Sequence, residues 1–142
     1  MQKDRVRRRI PLGPKRHVNR RAAAAVEFAV CLPVIVLLVF GSIEASSFIF
    51  LKQSLSVASY EGIREASKPD SNEADALARA QAILDSRLVN DYDIRFPDGV
   101  DGLERGDRIV CEVSAPTNSN SPLAGDFITN RVLTARVVML KE

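Results

Sequence analysis

Residues 22–51 read AAAAVEFAVCLPVIVLLVFGSIEASSFIFL, an apolar run with one carboxylate, Glu27, near its front end. No charged residue lies between Phe28 and Ile43. With its flanks the run is long enough to cross a bilayer, whose hydrocarbon core takes about 20 apolar residues as helix. The reading is a transmembrane helix over residues 23–51. Glu27 is out of place in it. An ionisable group near the membrane end of a helix costs on the order of a few kcal/mol by insertion scales, so it needs a partner or a purpose. The plain alternative is an anchor helix whose Glu27 sits at headgroup depth.

Ahead of this run, residues 1–21 hold nine basic side chains against Asp4 alone, a charge of +8, and the rest of the chain carries −6, which gives the net +2. Basic residues beside a first hydrophobic helix stay in the cytoplasm, so the leader, residues 1–22, is expected inside and residues 52–142 outside. A basic tail can also mean nucleic-acid binding. No aromatic or helical pattern interleaves these arginines, so no nucleic acid is expected as a partner. A secretory signal peptide fits poorly: its apolar core runs about 7–15 residues, and no A-x-A site follows here. Arg20-Arg21 invites a twin-arginine reading that its flanks do not support.

Beyond the membrane the helical period continues. Leu51, Leu55, Ala58, Gly62 and Ala66 fall at spacings of three and four, with polar residues around the rest of the helix. Pro69 stops the run, because the residue before a proline is pushed out of helical geometry. From Ala22 to Lys68 this is one helix of about 70 Å at 1.5 Å per residue, with residues 52–68 as an extracytoplasmic stalk. Pro33 offers no N–H to the carbonyl of Ala29 and is the expected site of a kink. A second helix is expected from Asp70, with Glu73 as the far member of a capping box. Ala74, Leu77, Leu84 and Leu88, supported by Ala80 and Ile83, form its apolar face, and Asp75–Arg79 and Glu61–Arg64 are expected ion pairs.

The period then changes to two. Tyr92, Ile94 and Phe96 alternate with charged residues, as do Ile109, Cys111 and Val113 with polar ones, and Leu133, Ala135, Val137 and Met139 with Thr134, Arg136 and Val138. These are three half-buried strands, most simply an antiparallel sheet covered on one face by helices. The fold class is α+β, and residues 69–142 form a small outer domain with a core of marginal size alone.

The loop Pro97–Asp107 carries Asp98, Asp101, Glu104 and Asp107 among three glycines. Calcium is one reading of it. The D-x-D-x-D-G spacing is absent, however, and Asp-Gly pairs are ordinary turn chemistry. The loop Pro116–Phe127 is polar and suits a tip that contacts partners. Cys31 and Cys111 lie too far apart in the chain pattern to suggest a pair, and with His17 as the only histidine they make no usual zinc site. Both read as small buried hydrophobes, and no metal or cofactor is expected. No nucleophile elbow or phosphate-binding loop appears, so an enzyme is not expected.

Residues 20–67 carry a basic pair, a run of small residues, V-E-F-A, a proline six positions after Glu27, an aliphatic run to G-x-I-E, and then A-S-x-E-G-x-R-E-A. In that order they resemble the TadE-like domain of tight-adherence (Flp-type) pilus proteins. The resemblance implies a minor pilin or pseudopilin, made as an inner-membrane precursor with its N-terminus inside. It also implies cutting by a prepilin peptidase between Ala22 and Ala23. Family members usually carry Gly before the run of small residues, where this chain has Ala22. Such a cut makes Glu27 the fifth residue of the mature protein, opposite the new α-amino group of a neighbouring subunit. At an effective dielectric near 20 a pair at 4 Å is worth about 4 kcal/mol of Coulomb attraction. The resemblance also places a Glu at Glu44, read as an interfacial residue at the outer membrane boundary. The implied partners are the peptidase, other tight-adherence pilus subunits, assembly-platform proteins and membrane lipid. The alternative is an unprocessed single-span protein whose outer domain binds a ligand or envelope partner.

Overall fold

Five elements follow one another along the chain: α1(Val18–Ala66), α2(Glu73–Ser86), β1(Asp93–Arg95), β2(Arg108–Pro116) and β3(Val132–Leu140). The computed structural model describes residues 18–122 and 130–142, with side chains from residue 22 on. Most of the basic leader, with His17, and the end of the second loop lie outside the described residues. The α+β class, with a long apolar first helix, a second helix and a three-stranded antiparallel sheet, agrees with the sequence reading. Two compact units divide the chain, Met1–Val39 and Phe40–Glu142.

In the first unit every described side chain is exposed, including Val26, Phe28, Val30, Leu37 and Leu38. Apolar surface of this extent is unfavourable in water at about 25 cal/mol per Å². Among the described residues α1 is the one helix long and apolar enough to cross a membrane. Pro33 lies within it, and helical assignment runs through that position.

In the second unit α1 becomes the wall of a core. Leu51, Leu55, Ala58, Gly62 and Ala66, the stripe expected from their spacing, are all buried. Ser54 and Ser59 between them are buried without cost in lost hydrogen bonds, because each turns back on its own helix. Ser54 Oγ donates to the Phe50 carbonyl at 2.8 Å, and Ser59 Oγ to the Ser56 carbonyl at 3.0 Å. Gly62 marks the close approach of the two helices: a Cβ there would sit 3.0 Å from the Ala80 Cβ and 3.4 Å from the Ala76 carbonyl oxygen.

The end of α1 satisfies all four of its last carbonyls, which no intrahelical donor can reach. Ser67 N donates to Ile63 O at 2.9 Å, Ser67 Oγ to Arg64 O at 2.9 Å and Lys68 N to Glu65 O at 3.2 Å. The Ala66 carbonyl accepts from Lys141 Nζ at 2.9 Å. Lys141, only 7% exposed, also donates to the Lys68 carbonyl at 2.8 Å.

The start of α2 differs from the sequence reading. Asn72, not Asp70, is the N-cap, and its side chain accepts from Asp75 N at 2.9 Å. Glu73 spends its own N–H on Asp101 Oδ1 at 3.1 Å, so the capping box gives way to a cap built from two segments. Arg79 does not pair with Asp75. It reaches across to Glu61 of α1 at 2.9 Å, while Glu61–Arg64 stands at 3.9 Å. The buried face of α2 is Ala76, Ala80 and Leu84, with Leu77 and Ile83 packed beside it. Ala74 is exposed, and Leu88 is 83% exposed. The reason is that the helix stops at Ser86 and Leu88 turns left-handed, φ 55°, in a terminus closed by Val89 N to Leu84 O and Leu88 N to Asp85 O.

β2 is the central strand, antiparallel to both neighbours, with Ile94 opposite Val113 on one side and Cys111 opposite Val137 on the other. The alternation read from the sequence holds: Ile109, Cys111, Val113 and Ala135 are buried and join the α1 and α2 residues in one core. Val110, next to this face in sequence and on the other side of β2, is also fully buried, which a half-buried strand does not predict.

Candidate functional site

The residues singled out from the sequence sit on α1. Ala22 and Ala23 lie within the helix, and both are exposed. Glu27 follows one turn on, also exposed, and among the described residues it has no hydrogen-bond or ion-pair partner. A carboxylate on an apolar helix without an internal partner is stable only where water, lipid headgroups or another chain supplies one. The segment presents a carboxylate, able to pair with a cation, next to a run of four small alanines.

Glu44 belongs to the second unit and is a different kind of carboxylate. It was expected nearer water, yet it is 5% exposed. Ser121 Oγ donates to its Oε2 at 2.6 Å. The cause is the segment after β2, which folds back onto α1. Asn120 holds that segment down: its Nδ2 donates to the Asn90 carbonyl at 2.9 Å and the Pro116 carbonyl at 2.8 Å, and its Oδ1 accepts from Asn90 N at 2.7 Å. Glu44 thus begins the buried stripe that Leu51, Leu55 and Ala58 continue, and it anchors a loop. No sequence signal pointed to Asn120 or Ser121, since both read as ordinary polar loop residues.

The acidic loop 97–107 is occupied with its own turns. Asp101 caps α2, and Asp107 Oδ2 accepts from Glu104 N at 2.8 Å. Gly99, Gly102 and Gly106 adopt positive φ, the conformation for which glycine is suited. Among the described residues no three His, Cys, Asp or Glu side chains are gathered as a metal site requires.

The cysteines divide. Cys111 is buried, as read, but Cys31 is exposed on the apolar part of α1, where every described side chain of the first unit is exposed. Burial pushes the Cys111 thiol up from 9.0 to about 12, with the charge of Glu112 adding to the shift. Tyr92 is raised as well, chiefly because its hydroxyl donates to Asp85 Oδ1 at 2.7 Å.

No curated protein and no solved structure matches the chain. The model of the TadE-like protein family matches residues 22–64, the stretch that runs from the alanines before Glu27 to the last turn of α1. That match agrees with the resemblance carried by residues 20–67.

Proposed function

We propose that this chain is a TadE-like minor pilin or pseudopilin that contributes to biogenesis of a tight-adherence type IV pilus. The observation that carries the reading is the coincidence of the TadE-like match, residues 22–64, with an exposed apolar helix bearing a carboxylate, Glu27, that is exposed and has no partner among the described residues. The chain sits in the inner membrane with residues 1–21 in the cytoplasm, held there by their +8 charge, and residues 52–142 outside. A prepilin peptidase cuts between Ala22 and Ala23. Glu27 then faces the new α-amino group of a neighbouring subunit, and the pair sets the register of packing helices. The role is structural, in assembly with pilus subunits and platform proteins, rather than catalytic.

Glu27→Gln tests this. The change removes the charge and keeps the size, so membrane insertion, cleavage and the outer fold survive. Assembly falls, because a buried ammonium facing a neutral amide lacks its countercharge, and breaking a buried pair from one side costs about 3–5 kcal/mol. The readout is co-purification with pilus components. Equal recovery of wild type and Glu27→Gln removes the subunit-pairing role.

A further inference from the structure

In the second unit α1 shows a second stripe, opposite in character to its core face. Ile43, Ser46, Phe50, Gln53, Val57 and Tyr60 follow one another at alternating steps of three and four. Ile43, Phe50 and Tyr60 are 41%, 52% and 49% exposed, Ser46 and Gln53 are exposed, and Val57 is half-buried. None of the six is charged. The charged residues on this part of the helix are occupied within the subunit: Glu44 by Ser121, Lys52 by the Thr134 carbonyl, and Glu61 by Arg79. The polar groups on the stripe make few demands. Ser46 Oγ donates to the Ser42 carbonyl at 2.9 Å, so its hydroxyl needs no outside partner. Beside the lower half runs an open groove of about 420 Å³, lined by Ser42, Ile43, Ser46, Ser47, Phe50 and Asn120.

We infer that this stripe is a parallel helix–helix interface with a second copy of the chain. A three-four repeat is the seam of a left-handed helix pair, in which each seam residue enters a hole on the facing helix. In a parallel pair of identical chains each seam residue meets its own counterpart. Self-meeting is then free of like-charge repulsion from Ile43 to Tyr60. The next seam position is Arg64, where two guanidinium groups face each other and the interface ends. Gln53, the one amide on the seam, is both donor and acceptor, so two copies satisfy one another across the seam and fix its register. Fewer than three heptads bind weakly in free solution. Two copies anchored in one membrane with one orientation meet at a raised effective concentration. The inference needs membrane anchoring but no other pilus protein, so it goes beyond the pilus role and fails or stands separately from it.

The test uses the full chain in membranes of cells that lack pilus genes, with Cys31→Ser as background and Cys111 buried. Phe50→Cys and Val57→Cys place thiols on the seam, and Ser56→Cys places one on an exposed flank. Under mild oxidation the two seam variants are expected to give disulfide homodimers several-fold more than Ser56→Cys. Adding Phe50→Glu to Val57→Cys is expected to abolish its dimer while the helical circular dichroism signal is retained. Equal cross-linking at all three positions, no dimer at either seam position, or seam disulfides to a different protein overturns the inference.

Discussion

Lys141→Met is the sharpest probe of how the second unit is held together. The methylene stem of lysine and the side chain of methionine have similar length, so the substitution removes the ammonium with little change in packing. The ammonium donates to Ala66 O at 2.9 Å, Lys68 O at 2.8 Å and Ser71 O at 3.4 Å. The first two are well-formed bonds, and the Ala66 carbonyl is the one terminal acceptor of α1 with no local donor. Charge-assisted bonds contribute about 1.5–3 kcal/mol each, and a cation at a helix C-terminus adds about 0.3–1 kcal/mol. Against this stands the desolvation of a nearly buried lysine, which the variant no longer suffers. A net loss of about 2–3 kcal/mol follows, since two acceptors remain enclosed with no donor. For a domain of about 100 residues, 1 kcal/mol shifts Tm by about 4–8 °C, so the melt moves down by about 10–20 °C. The assay is thermal unfolding of the full chain in detergent, followed by circular dichroism. A Lys141→Met melt within about 2 °C of wild type refutes the argument, because it means the three carbonyls find donors without the lysine.

Gly62→Val overfills the crossing of α1 and α2, where a bare Cβ already meets Ala80 at 3.0 Å, and is expected to lower stability by about 1–3 kcal/mol in chemical denaturation, with Ala80→Gly in the same chain restoring part of the loss. In alkaline solution the thiol of Cys111 stays protonated in the fold to about 12 but ionises from 9.0 when unfolded, so its contribution to stability is level below pH 9 and falls above it by up to about 1.4 kcal/mol per pH unit; Cys111→Ala in a Tyr92→Phe background, measured by denaturation across pH 8–11, is expected to lack that slope.

What periodicity can express, the sequence expressed well. The three-four spacing of Leu51, Leu55, Ala58, Gly62 and Ala66 located the buried face of α1, and strict alternation located all three strands, because one-sided burial imposes those periods directly. The misreadings arose where partners are distant in the chain. Arg79 passed over Asp75, four residues back, for Glu61 on the facing helix, and Asp70 lost the capping role to Asn72 because Asp101 supplies the second acceptor from another loop. Lys141 and Glu44 carry the same lesson. Nothing in the local sequence marks Lys141 for burial, and Glu44 read as an interfacial residue; only the fold brings Ala66 to one and Ser121 to the other. Glu27 and Ala22–Ala23 were visible as a pattern of residue types, and the role proposed for them lies between chains, where internal contacts leave no mark.

The proposed role turns on processing, and the mass of the mature N-terminus tests it most directly. Wild-type protein is isolated from its own membrane in cells with and without an active prepilin peptidase, and its N-terminal peptide is weighed. The account predicts a chain that begins at Ala23 when the peptidase is present and keeps its leader, residues 1–22, when it is absent. A chain that keeps its original start in the presence of an intact peptidase contradicts it.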